Sequence, residues 1–107
     1  MKRKVSFSSL ANTKLVSVTT YLEEEWSLKA KQNFVASFRE KVLHISQYPE
    51  SCIKSEKHFN LYKCIVTKQT SFLYTVKNKE IEVVTILDNR SSNKSIRKEI
   101  RKYYGHI

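Results

Sequence analysis

The side chains of this sequence that are able to do chemistry are mostly basic, and they concentrate in its second half. Residues 51–107 carry 12 lysines and arginines against 5 carboxylates, whereas residues 1–50 carry 8 against 5. A positive field of this kind favours RNA, DNA or an acidic protein, because neutralising phosphates releases counterions and long-range attraction speeds encounter. The alternative is that the chain is simply rich in lysine and that these side chains are solvated without binding anything. A binding or catalytic surface is therefore expected in the second half.

Cysteine and histidine, the usual zinc ligands, lack the spacing of a metal site. Cys52 and Cys64 are the two cysteines of the chain, and neither belongs to a CxxC or a paired His–Cys motif. The sequence predicts no metal, no disulfide framework and no cofactor. No apolar leader is present and no run approaches the roughly 18 apolar residues of a membrane span. We therefore expect a cytoplasmic protein with reduced thiols and no membrane partner.

The first half of the chain predicts a helical hairpin. Residues 9–26 and 30–45 both have apolar side chains at helical spacing, and Pro49 ends the second run. Ser27 is well placed to be the N-cap of the second helix. The apolar stripe of the first helix continues to Trp26, which is therefore expected in the core.

After the proline the apolar period changes from 3.6 to 2, which predicts a β-meander. Strands are expected at 61–67, 71–77 and 80–87, and residues 4–7 should add a further strand to the sheet. A length of 107 residues is enough for one core under one sheet. The prediction is an α+β fold of order β-α-α-β-β-β, in which the helical hairpin packs on an antiparallel sheet and a short C-terminal helix follows.

The two faces of the meander are predicted to differ. Pairing residue 67 with 71 and residue 77 with 80 places one apolar face, which includes Thr85 and Leu87, against the helical hairpin. The opposite face is mixed but carries an apolar stripe: Ile65, Leu73, Val84 and Ile86. Such a stripe needs a cover, because a large exposed apolar patch marks an interface.

Two covers for this stripe are open. The first is the chain's own tail, residues 94–107, which predicts a basic amphipathic helix. Its apolar face has Ile96, Ile100, Tyr103 and Tyr104, and its basic face has Arg97, Lys98, Arg101 and Lys102. The second is a partner protein that offers an extended or helical segment.

Several motifs in fixed order carry a family resemblance. The first half has Val5-x-Phe7-Ser8, then Ala11, Leu15, Val18, Tyr21-Leu22 and the corner Glu25-Trp26-Ser27. The meander has Tyr62-Lys63, Phe72-Leu73-Tyr74 and the run IEVVTILDNR that ends at Arg90. Over residues 4–93 this order resembles the RelE/ParE superfamily of toxins from type II toxin–antitoxin systems. The resemblance implies a small α+β fold, a toxin that arrests growth, and a cognate antitoxin that binds and silences it.

The resemblance implies one of two activities. The RelE-like branch cleaves mRNA on the ribosome without a metal, using basic side chains and a tyrosine or histidine to activate the ribose 2′-hydroxyl. Lys63 and Arg90 match catalytic positions of that branch, whereas Ile65, Ser71 and Ile96 occupy positions where it has reactive side chains. The ParE-like branch poisons DNA gyrase and needs only a recognition surface.

Further contacts are expected around these positions. Residues expected to bind the target or nucleic acid are Lys54, Lys57, His58, Arg97, Arg101, Tyr103 and Tyr104. Residues expected to bind the antitoxin are Ile65, Leu73, Val84 and Ile86. Structural roles are the alternative: Lys63 can pair with Glu82 across Thr75, and His58 can be a solvated loop residue.

The long helices and the depleted basic cluster favour a single ParE-like toxin domain over residues 1–107. The expected function is growth inhibition through binding of a macromolecular target such as DNA gyrase, with neutralisation by an antitoxin. The alternatives are a ribosome-dependent mRNA endonuclease and a noncatalytic basic nucleic-acid-binding module. Whether the protein is an enzyme stays open on the sequence.

Overall fold

The computed structural model describes residues 3–89 and 91–104, with the side chains of this range up to residue 102. The elements in chain order are β1 (Lys4–Phe7), α1 (Ser9–Glu25), α2 (Leu28–Gln47), β2 (Ile53–Ser55), a 3₁₀ turn (Glu56–His58), β3 (Leu61–Ile65), β4 (Thr70–Lys77), β5 (Glu80–Asp88) and α3 (Asn93–Tyr104). The five strands form one sheet in the order β1-β5-β4-β3-β2. The predicted α+β fold is confirmed. Among the described helices, none is long and apolar enough to cross a membrane.

The sheet is mixed in direction. The meander strands and β2 pair antiparallel, whereas β1 lies parallel to β5 at the edge. The predicted antiparallel order therefore holds for four strands. Strand β2 and the 3₁₀ turn were not predicted, because three residues are too few to show an alternating pattern.

The corner of the helical hairpin depends on a serine cap. The hydroxyl of Ser27 accepts a 3.0 Å hydrogen bond from the backbone N–H of Ala30, so its predicted role as the N-cap of α2 is confirmed. Helix α1 ends one residue earlier than its apolar stripe, at Glu25. Trp26 follows outside the helix and is 72% exposed. The prediction that Trp26 lies in the core is wrong, because the chain leaves the helix before the stripe reaches it.

The main core lies between the helical hairpin and the sheet. The Phe38 ring of α2 meets the Phe72 ring of β4 edge to face, with 5.3 Å between ring centroids. Tyr74 is fully buried beside them, and its hydroxyl donates a 2.8 Å hydrogen bond to the carbonyl oxygen of Pro49. A buried hydroxyl without a partner would be destabilising, so this bond holds the end of α2 against the sheet.

The opposite face of the sheet is covered by α3. Ile96 and Ile100 pack on a second buried cluster that contains Leu73, Val84 and Leu87. An ion pair of 2.9 Å between Lys14 of α1 and Glu99 of α3 joins the two layers. Of the two covers that the sequence left open, the structure shows the chain's own helix. Residues 105–107 of the predicted tail helix lie outside the described residues.

A β-bulge in β5 changes which residues face α3. Tyr74 pairs with Val83 and Leu73 pairs with Thr85, which leaves Val84 as an extra residue in β5. An extra residue reverses the alternation of every side chain after it. Ile86 consequently packs in the cluster under the helical hairpin, and Leu87 packs in the cluster under α3. The predicted faces of Ile86, Thr85 and Leu87 are therefore wrong.

The turn between β3 and β4 is longer than predicted. The Thr67 hydroxyl accepts hydrogen bonds from the backbone N–H groups of Gln69 and Thr70, at 3.3 and 3.1 Å. Strand β3 therefore ends at Ile65, which pairs with Ser71. The register between β3 and β4 is therefore shifted by two residues from the predicted one. A shift of two keeps each side chain on its predicted face but gives each residue of β3 a different partner on β4.

This register also changes the neighbour of Lys63. Lys63 pairs with Leu73, and Thr75 pairs with Glu82. The predicted row Lys63–Thr75–Glu82 does not form, so the structural alternative in which Lys63 pairs with Glu82 across Thr75 is wrong.

Candidate functional site

His58 is positioned by the 3₁₀ turn and by an unusual reversal of the backbone after it. Phe59 and Asn60 both adopt left-handed conformations, with φ of 58° and 60°, which residues with a Cβ rarely do. The N–H of Asn60 donates a 3.0 Å hydrogen bond to the carbonyl oxygen of Ser55, and the Ser55 hydroxyl lies 2.7 Å from Nδ1 of His58. The imidazole is only 3% exposed. The expectation of a solvated loop histidine is therefore wrong.

The surroundings of His58 oppose its protonation. Burial lowers the pKa of His58 below its ordinary value, and the positive charge of Lys63 lowers it further. Arg97 and Lys57 act in the same direction, while the side chain of Asn93 opposes them. Nε2 of His58 has no partner at hydrogen-bond geometry within the described residues. The site thus holds a neutral imidazole among three cations at neutral pH.

Helix α3 closes this site from the outside. Nη1 of Arg97 donates a 3.2 Å hydrogen bond to the carbonyl oxygen of Lys57. One turn further along α3, the guanidinium of Arg101 lies 5.2 Å from the centroid of the Phe59 ring, within the range of a cation–π contact. These contacts hold α3 over the segment that carries His58.

The structure therefore gathers four of the predicted residues into one cluster, which we call the basic site: Lys57, His58, Lys63 and Arg97. Arg101 flanks the basic site through Phe59. Lys54 lies elsewhere, with its amine 5.5 Å from the centroid of the Tyr62 ring, and Tyr62 packs against the core under the helical hairpin. Arg90 and the side chains of Tyr103 and Tyr104 lie outside the described part of the chain.

Among the described residues, no ion pair joins a member of the basic site to a carboxylate. The described ion pairs are Lys14–Glu99 and Lys31–Glu23, and neither involves a member of the basic site. Like charges held together favour an anionic ligand, and phosphate oxygens are suitable acceptors for lysine and arginine. In the tautomer whose Nδ1–H donates to the Ser55 hydroxyl, Nε2 of the neutral imidazole is also able to accept a proton. Between residues 3–89 and 91–104, no three His, Cys, Asp or Glu side chains come together as a metal site requires.

Ser55 and Asn93 are part of this arrangement and were missed by sequence reasoning. No spacing relates them to His58, because Asn93 belongs to α3 and reaches His58 only when α3 packs on the 3₁₀ turn. The predicted antitoxin residues are also separated. Leu73 and Val84 are buried under α3 and Ile86 under the helical hairpin, whereas Ile65 is 61% exposed.

A separate groove of about 600 Å³ lies beside the helical hairpin. Its lining includes Val18 and Tyr21 of α1, Phe34 of α2, and Leu87 and Asp88 at the end of β5. The groove is mostly apolar and open, so it is a second surface on which a partner segment can lie.

Comparison with known proteins identifies the fold. The sequence matches no protein-family model and no curated protein. In structure, the chain is similar to one from the "Chromosomal ParDE TA system from P. aeruginosa", a toxin–antitoxin system, with a TM-score of 0.69 and 17% identity. The similarity covers 81% of this chain and 96% of that chain. The expected ParE-like fold is confirmed. Within this ParE-like fold, the basic site lies at the contact of the 3₁₀ turn with α3.

Proposed function

We propose that this protein is the growth-inhibiting toxin of a type II toxin–antitoxin module, that it acts by binding a macromolecular target such as DNA gyrase, and that a cognate antitoxin neutralises it. The observation that carries the proposal is the ParE-like fold, which matches 96% of the ParDE-system chain. The likeness extends over 81% of this chain.

The basic site and the adjoining face of α3 are the proposed contact with the target. Arg97 is partly exposed and Arg101 is exposed, and both are held in place by the contacts to Lys57 and Phe59. Pre-ordered cations lose little entropy on binding, and they attract an acidic or nucleic-acid surface over a distance.

The antitoxin is proposed to bind elsewhere, on the apolar groove beside the helical hairpin and on Ile65. Tyr21 is exposed at the groove, and Ile65 lies just before the β3–β4 turn that also lines it. Leu73 and Val84 become available to an antitoxin only if α3 leaves the sheet, because α3 buries them.

A second candidate is a ribosome-dependent mRNA endonuclease that uses Lys63 and Arg90. One observation favours it: the neutral imidazole of His58 has an unbonded Nε2 and lies within electrostatic reach of Lys63. If α3 moved aside, this imidazole would be within reach of a ribose hydroxyl and could act as its general base, while an adjacent ammonium would stabilise charge on the phosphorane.

The test is controlled expression of the chain in bacterial cells, with growth, DNA-damage signalling and transcript 5′ ends measured together. The binding toxin predicts growth arrest and damage signalling without new 5′ ends. Arg101→Glu should weaken this effect, whereas Arg39→Glu, a reversal of an exposed charge on α2, should not. Purified protein should also stabilise gyrase–DNA cleavage complexes.

Other outcomes separate the alternatives. New 5′ ends inside codons that disappear in Lys63→Ala and persist in Lys77→Ala would establish the endonuclease instead. Growth without any arrest, together with nucleic-acid affinity that falls steeply with salt, would indicate a noncatalytic nucleic-acid-binding module.

A further inference from the structure

The two cysteines lie opposite each other at the end of the β2–β3 ladder. Ile53 of β2 pairs with Lys63 of β3 in antiparallel register. Continuing that register by one residue puts Cys52 directly opposite Cys64. Opposite residues in antiparallel strands have Cα atoms about 4.5 to 5.5 Å apart, and disulfides join residues whose Cα atoms are about 4.4 to 6.8 Å apart. At that register, the expected Cα separation lies within the range that a disulfide requires.

Both side chains belong to the core under the helical hairpin, where Cys64 is a buried member of the cluster and Cys52 packs against it. Burial raises the pKa of the Cys64 thiol to about 12, and the neighbouring Cys52 contributes to this shift. Cys64 is buried, whereas Cys52 is only partly buried. Of the two residues, Cys52 is therefore the more accessible to a reagent from solvent.

The surface beside Cys52 suits an anionic reagent. A groove of about 560 Å³ borders both cysteines, and Lys41, Lys54 and Lys63 are among its lining residues. Glutathione disulfide carries carboxylates, which these amines attract. It is also the disulfide reagent of a reducing compartment, where protein disulfides are transient and redox-sensing.

We propose that Cys52 and Cys64 are a redox site that forms a disulfide across β2 and β3 by exchange with glutathione disulfide. The Cys52 thiolate attacks one sulfur of glutathione disulfide, the S–S bond breaks, and one glutathione thiolate leaves. The Cys64 thiolate then attacks Sγ of Cys52 and displaces the second glutathione. Both cysteines are oxidised, one glutathione disulfide is reduced, and the two thiol protons end on the two glutathione molecules.

The disulfide would close a loop from Cys52 to Cys64 that contains β2, the 3₁₀ turn and His58. Oxidation would thereby fix the segment that carries Lys57, His58 and Lys63, three of the four residues of the basic site. This inference depends on the cysteine pair and not on the proposed toxin function.

The test is incubation of the folded, reduced protein with glutathione disulfide, followed by alkylation of free thiols and intact-mass analysis. We expect a monomer about 2 Da lighter than the reduced chain, two thiols protected from alkylation, and a cross-linked peptide that contains both cysteines. Dithiothreitol should reverse all three changes. Closure should accelerate about tenfold per pH unit from pH 7 to 9, because Cys64 attacks as its thiolate.

Two variants define the roles of the thiols. Cys64→Ser should stop at a stable glutathione adduct on Cys52, and Cys52→Ser should stay reduced as long as circular dichroism shows it folded. A wild-type protein that keeps glutathione on Cys52 without closure, forms only intermolecular dimers, or stays reduced in the folded state would overturn the proposal. Since the main readout uses the unaltered chain, a variant that fails to fold does not affect the result.

Discussion

Nη1 of Arg97 in α3 donates a 3.2 Å hydrogen bond to the backbone carbonyl oxygen of Lys57 in the 3₁₀ turn. This bond crosses 40 residues of sequence and joins the last helix to the segment before the meander. The burial of His58 and the docking of α3 are therefore parts of the same contact.

Arg97→Ala should loosen α3 without unfolding the rest of the domain. The bond is solvent-exposed, so its loss should lower the free energy of unfolding by about 0.5 to 1 kcal/mol. Amide hydrogen exchange should accelerate in α3 while β4 stays protected. Lys98→Ala, an exposed substitution on the same helix, is the control, and equal exchange rates in both variants would contradict the role given to Arg97.

The stability of the protein should fall as the pH drops through the ordinary pKa of histidine. The folded state lowers the pKa of His58, mainly by burial, so the unfolded chain binds more protons between the two pKa values. The stabilisation is complete above about pH 6.5 and is lost progressively towards the lower, folded-state value. Urea unfolding at a series of pH values should show this slope.

His58→Gln should make that pH dependence shallower, whatever it does to stability at neutral pH. His44→Gln, the same substitution at an exposed histidine of α2, is the matched control. A slope that persists in the His58 variant would show that another group is responsible.

The β-bulge makes a sharp prediction for two isoleucines that the sequence placed on the same face. Ile86 is 1% exposed under the helical hairpin, so Ile86→Ala should lower the free energy of unfolding by about 2 to 5 kcal/mol. Ile65→Ala removes the same atoms from an exposed side chain and should change the free energy of unfolding by less than about 0.5 kcal/mol. Chemical denaturation of both variants tests the assignment, which similar losses would refute.

The free energy of unfolding should depend on the N-cap that Ser27 provides at the corner of the helical hairpin. Ser27→Ala removes the acceptor for the N–H of Ala30 and should lower the free energy of unfolding by about 1 kcal/mol. Ser27→Gly should lower it by only a few tenths, because glycine lets water reach the freed N–H. If both variants unfold at the same denaturant concentration as the parent, the cap contributes nothing.

The helical hairpin and the meander could be predicted because their patterns are local. A period of 3.6 residues that changes to 2 after Pro49 is visible within short windows, and Ser27 stands where a cap is needed. The extra residue Val84 was not visible, since a bulge leaves each neighbouring segment alternating. Likewise, the Thr67 hydroxyl moved the β3–β4 turn by competing for backbone N–H groups, a choice that the apolar pattern does not record.

The basic site could be predicted only in part. Lys57, Lys63 and Arg97 were expected from charge and from resemblance, but their meeting depends on α3 packing across the sheet. The environment of His58 could not be inferred, because Asn93 and Arg97, which contribute to it, belong to α3 and are far away in sequence. Local patterns place residues on faces, whereas burial and pKa depend on which elements finally pack together.

The parallel pairing of β1 with β5 has a consequence for the time course of folding during translation. Lys4 pairs with Glu80, so β1 leaves the ribosome long before the strand that it needs. Helices α1 and α2 are synthesised before the meander. Their apolar faces therefore stay exposed until the central strands of the sheet have been synthesised. Contacts this distant in sequence form slowly. Until they form, the partly folded chain exposes apolar surface to chaperones and proteases. The complete domain, and any activity that needs it, can therefore appear only after β5 has been synthesised.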